Sequence, residues 1–197
     1  MMLIEQTVVP GAVLPVQEFR DHMRLGTGFA DDGAQDVLLE RVLRAAIAAV
    51  EARVGKVLVT HRFQWTLSAW RDLGEQALPV APVQAIVSVS LLDKTGAATV
   101  VDPSRYVLEK DLHRPKLVAS GVLLPTIATD GSVEIVFDAG FGAAWSAVPV
   151  DLRQAVFLLA AHYHEHRSEA GLGSLPFGVM ALVERYRTIR ILGGGVA

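Results

Sequence analysis

The chain has no cysteine among its 197 residues. Disulfide frameworks, thiolate zinc sites and cysteine nucleophiles are thereby excluded, and a reducing compartment suits the composition. It also lacks an excess of positive charge: 18 Lys and Arg stand against 21 Asp and Glu, a net charge of -3, with no basic run. Affinity for nucleic acid driven by phosphate neutralisation is not indicated, although a surface that merely lets DNA pass is compatible with this balance. The start, MMLIEQTVVPGAVLP, has no basic n-region and no apolar run of signal-peptide length. The longest apolar stretches fall well short of the ~20 residues a membrane span needs. The reading is a soluble chain made in the cytosol, with no membrane partner. Catalytic signatures are missing too. There is no G-x-S-x-G elbow and no G-x-x-x-x-G-K-[ST] loop, and the glycines at 26, 28 and 33 do not follow a strand.

What the sequence does have is core material. Hydrophobic residues make up 51% and charged residues 20%, a balance that argues against disorder. The length suits one domain, or one domain carrying an inserted subdomain.

Periodicity orders the chain as helix–helix, β block, helix–helix. LPVQEFRDHMRL places Val16, Phe19 and Met23 on one helical face, predicting a helix over about 15–24 with Pro15 in its first turn. AQDVLLERVLRAAIAAVEARVG is the clearest helix, over 34–54. Leu39, Val42 or Leu43, Ala46, Ile47, Val50 and Val54 form its apolar stripe, Asp36 its acidic first turn and Gly55 its stop. From 56 the pattern turns β-branched and aromatic, with alternation at Phe63, Trp65 and Leu67. LPVAPV (78–83) is a proline-bracketed extended link. QAIVSVSLLDKTGAATVV (84–101) reads as two strands around a turn at Asp93–Gly96. RYVLEK (105–110), KLVAS (116–120) and SVEIVFDAG (132–140) are further short strands, Asp102–Pro103 starts a turn, and FGAAWSAVP (141–149) is a loop. Helices are predicted again over 150–170 and 179–190, separated by a linker and followed by a flexible tail, 189–197. The fold class expected is α+β: a helical bundle with an antiparallel β subdomain inserted at about 56–140, the whole chain forming one domain.

One segment suggests chemistry. AHYHEHR (161–167) packs three histidines and a glutamate into seven positions. On a helix, Leu152, Val156, Leu159 and Tyr163 define the buried stripe, His164 points well away, and His162 and His166 are i, i+4 neighbours on one flank beside Glu169. Two His and a carboxylate are a known zinc set. The catalytic helix signature, however, has Glu directly after the first His, H-E-x-x-H, whereas here Glu165 precedes His166. A third ligand from elsewhere would have to be His22, His61 or His113. A partly exposed helix end, whose histidines favour the C-terminal dipole when protonated, accounts for the same residues.

Other features have ordinary explanations. Asp31–Asp32 reads as a solvated acidic loop in preference to a cation site. Trp65, Trp70 and Trp145 have no basic residues interleaved, so they read as packing of the β block in preference to stacking platforms for single strands. AGFG (139–142) reads as a turn leading out of the last strand. No catalytic residue, metal or cofactor is expected.

The order of the segments says more than any one of them. LPVQEFRDHMRL, then DVLLERVLRAAIAAVEARVGKVLVTHRFQWTLSAW, LPVAPVQAIVSVSLLDKTGAATVVDPSRYVLE, VEIVFDAGFG, VPVDLRQAVFLLAAHYHEHRSEA and LPFGVMALVERYR cover residues 13–187. In that order and spacing the chain resembles the phage head–tail connector (adaptor) family, which includes prophage and gene-transfer-agent members. The resemblance implies a structural subunit of a ring, commonly of twelve copies, below the portal protein at the neck of a virion or phage-like particle assembled in the bacterial cytoplasm. The ring extends the channel through which double-stranded DNA passes and offers a platform to a stopper or tail protein. It implies no catalytic residue. Tyr163, Glu165 and Arg167 fit the family's helix ending. A closed ring needs heterologous contacts between identical subunits, for which Glu40, Arg41, Arg44 and Glu51 are the candidates. Arg187, Arg190, Ile191 and Leu192 are the candidates for docking to portal or tail. The rival readings are a tail-completion or stopper protein of the same neck, and a metal-dependent hydrolase using His162, His166 and Glu169.

Overall fold

The computed structural model describes residues 1–25, 34–166 and 175–187. Among these residues four helices pack together: α1 (Val16–His22), α2 (Ala34–Val54), α3 (Val150–Glu165) and α4 (Phe177–Val183), the last running into a 3-10 turn, Glu184–Tyr186. Their apolar stripes meet in one core. Leu39, Leu43, Ala46, Val50 and Val54 of α2 face Leu152, Val156 and Leu159 of α3, and Val179 and Val183 of α4 close the bundle. Phe19 of α1 reaches Phe157 at 5.8 Å between ring centres, with Trp145 on Phe157 at 5.9 Å.

The β residues form two antiparallel sheets. The larger has the order β1-β2-β8-β4-β5, from β1 (Met2–Glu5), β2 (His61–Leu67), β8 (Ser132–Ala139), β4 (Val83–Leu92) and β5 (Ala98–Val100). The smaller has the order β3-β7-β6, from β3 (Glu75–Ala77), β7 (Lys116–Ala119) and β6 (Tyr106–Glu109). The alternation in β2 is realised as read: Phe63, Trp65 and Leu67 point into a second core that also holds Val89, Leu117, Ile135 and Phe137. The hairpin β4–β5 turns where Asp93 accepts hydrogen bonds from the Thr95 and Ala97 amides and the Thr95 hydroxyl, with Gly96 at φ 85°. Those hydrogen bonds hold the Asp93 carboxyl below its usual range. Asp102 starts its turn by accepting from the Ser104 amide at 2.8 Å.

The α+β architecture is therefore as read, with differences at its edges. The N-terminal segment is built into the fold. Residues 2–5 pair with β2, and Val9 and Val13 pack on the helical core. The apolar positions of MMLIE carry little alternation in burial because an edge strand is exposed on both faces, which hides it from pattern reading. Strand β3 spans only three residues, too few to carry a period. Pro15 caps α1 instead of opening its first turn, and α1 ends at His22, short of 24. Helix α3 is capped at His166, before the expected end at 170. The last helix begins at Phe177 and gives way to the 3-10 turn at Glu184. Trp65 and Trp70 pack in the β core, but Trp145 belongs to the helical core. The acidic pair Asp31–Asp32 and the tail 189–197 lie outside the described residues.

Candidate assembly surfaces

Helix α2 presents the charged face on which subunit contacts are expected. Arg44 donates to Glu40 at 2.8 and 2.9 Å and to the Val9 carbonyl at 3.1 Å, so this pair also straps the N-terminal segment to the helix. Arg41 is exposed. Glu51 is engaged within the chain: its carboxylate accepts the Leu58 amide at 2.7 Å. Burial pushes its pKa up to about 7 against the lowering effect of that hydrogen bond, and the nearby charge of Glu5 adds to the rise.

A cleft of about 1080 Å3 opens at the C-terminal end of α2, between the helices and the two sheets. Its floor is apolar, with Val54, Trp65, Leu67 and Leu78. Arg53, Arg71, Arg114 and Arg187 rim it, and among the described residues no carboxylate lines it. Arg187 is held by Glu184 at 2.8 Å. Arg53, Arg71 and Arg114 are exposed, and none of the ion pairs among the described residues involves them. Of the docking candidates, Arg187 thus lies at this cleft, while Arg190, Ile191 and Leu192 lie outside the described residues. Arg53, Arg71 and Arg114 escaped sequence reading because they come from three segments far apart in the chain.

The histidine segment is the end of α3. His162 and His166 are partly buried, their rings 4.3 Å apart between centres, and a His166 ring nitrogen is hydrogen-bonded with the His162 carbonyl at 3.0 Å. His164 is partly buried as well, as is Tyr163 on the core side. Glu169 and Arg167 lie outside the described residues. Among the described residues no three His, Cys, Asp or Glu side chains are grouped as a metal site. No helix among them is long and apolar enough to cross a membrane.

No family profile and no curated protein matches the chain. Solved structures do. A chain in the neck of an empty gene transfer agent (GTA) particle computed with C6 symmetry is 56% identical, with 98% of this chain and 99% of that chain covered and a TM-score of 0.91. A chain in the virion of a native GTA particle is also 56% identical, over 98% and 99%, with a TM-score of 0.88. One in the neck of a native GTA particle computed with C12 symmetry is 51% identical over the same shares, with a TM-score of 0.86. Identity of this degree along almost the whole fold places the chain in the class of structural proteins of phage-like particles. Within that class, the chain belongs to the family of gene transfer agent neck proteins, in line with its resemblance to head–tail connectors.

Proposed function

We propose that this chain is the adaptor subunit of a particle neck. Twelve copies form a ring below the portal protein, extend the DNA channel and present a platform to a stopper or tail protein. The role is structural, without catalysis or cofactor, and assembly takes place in the host cytoplasm. The observation that carries the reading is the near-complete match to neck chains, one of them in a neck computed with C12 symmetry. The lateral face of α2, with Arg41 and the Glu40–Arg44 pair, suits contact between subunits. Arg187, with Arg190, Ile191 and Leu192, suits docking to portal or tail.

Imaging of particles carrying a tagged copy tests this. The expected result is tag density in a twelve-fold ring touching the portal. Density in a ring separated from the portal by another layer would make the chain a stopper, and absence from the neck would overturn the reading altogether. Truncation of residues 189–197 is expected to abolish portal attachment; unimpaired attachment would count against docking through that segment.

A further inference from the structure

The cleft at the end of α2 asks for an anion. Arg53 comes from the end of α2, Arg71 from the β2–β3 connection and Arg114 from the β6–β7 connection. Like charges gathered in one recess repel, and a complementary charge arriving from outside relieves that cost. Guanidinium groups suit a carboxylate in particular, which they bind through paired hydrogen bonds. Trp65, 2% exposed, contributes to the apolar floor. The apolar floor and recessed shape fit a protein edge better than the ridge of a duplex backbone.

The same chain carries the matching surface at the other end of α2. Helix α1 is anchored there by the Arg20–Asp36 ion pair. Glu18 and Asp21 are exposed and, at i and i+3, share one helical face. No ion pair among the described residues involves either one. Asp36 and Arg53 are about 25 Å apart along the helix axis at its 1.5 Å rise per residue. A subunit's own α1 therefore does not reach its own cleft. A contact between two different patches of identical subunits is the kind that closes a ring.

We propose that the arginine cleft is one half of the contact between neighbouring copies, and that it receives the acidic edge of α1, Glu18 and Asp21, from the next subunit. This rests on the ring reading above.

The chain has no cysteine of its own, so engineered pairs report cleanly. Full-length chains carrying Asp21→Cys with Arg114→Cys, or Glu18→Cys with Arg71→Cys, are assembled into particles and oxidised. The expected result is a ladder at multiples of the subunit mass that reductant collapses and that the single-cysteine parents do not give. Normal neck occupancy without a ladder from either pair, or linkage to a different protein, overturns the proposal while leaving the neck role intact. Absence of the unmodified chain from necks is instead the failure of that role. If a cysteine pair blocks incorporation, a charge swap decides. Arg53→Glu with Arg114→Glu is expected to deplete necks of the chain about tenfold, and adding Glu18→Arg with Asp21→Arg to restore it. No restoration overturns the proposal. So does retention of duplex DNA by the wild-type chain that the Arg53→Glu, Arg114→Glu variant loses, which would make the cleft a phosphate site.

Discussion

Glu51 shows how a single residue changes meaning once folded. On a helical projection of α2 it belongs with the exposed charges. In the fold its carboxylate lies largely out of water against the chain entering the β block, bonded to the Leu58 amide, with a pKa pushed up to about 7. The native state therefore holds a proton on Glu51 at pH values where the unfolded chain, near the ordinary 4.5, has released it. Native-state stability then falls as pH rises from about 4.5 through 7, by roughly 3 kcal/mol in total, and levels off above. Glu51→Gln keeps an oxygen for the Leu58 amide and removes the titration. Thermal melts are expected to show the variant more stable than wild type at pH 8, with the difference shrinking as pH falls and gone below about pH 4. Parallel pH profiles would show that Glu51 does not titrate in this way. The histidines of AHYHEHR lie at the described end of α3, with the His162 and His166 rings side by side on one flank.

At the scale of elements, what was legible followed from period. The stripe of α2 appears in the core at Leu39, Leu43, Ala46, Val50 and Val54, and β2 buries the alternating residues read from its sequence. Strand β1 was not legible because it is an edge, and β3 because three residues carry too little pattern. The AGFG turn leads out of the last strand, and its first glycine position cannot hold a side chain. Gly140 has φ 140°, and a Cβ there would collide with the Thr60 backbone. Around it, the Gly140 amide donates to the Pro82 carbonyl at 2.9 Å and the Thr60 amide to the Gly142 carbonyl at 2.8 Å, which stitches the end of β8 to the β3–β4 and α2–β2 connections. Gly140→Ala is expected to cost roughly 2–4 kcal/mol, from backbone strain plus overpacking. Denaturant unfolding measures it, and a loss under ~1 kcal/mol would mean that the crossing relaxes easily.

For the whole molecule, charge is the property that composition states most directly and the fold then redistributes. A net charge of -3 gives no general attraction to DNA. The wild-type chain at ~10 μM is expected to leave duplex DNA unretained on a filter at ~0.15 M salt, and strong, salt-sensitive retention would contradict that. Yet the fold gathers Arg53, Arg71, Arg114 and Arg187 around one recess that no carboxylate of the described residues lines, and leaves Glu18 and Asp21 at the far end of α2. A mildly acidic protein thereby acquires a basic mouth and an acidic edge, the asymmetry that a ring of identical copies can use.

By itself the sequence determined the helices, most of the strands and the α+β class, because these depend on hydrophobic period and turn chemistry within ten or twenty neighbouring residues. It also excluded thiol chemistry, since the absence of cysteine does not depend on folding. Only the tertiary structure decided that residues 2–5 complete a sheet, that Trp145 serves the helices, that Glu51 turns inward, and that four arginines spread from 53 to 187 meet at one cleft. Those outcomes depend on which distant segments pack together, and burial, pKa and charge complementarity exist only after they do.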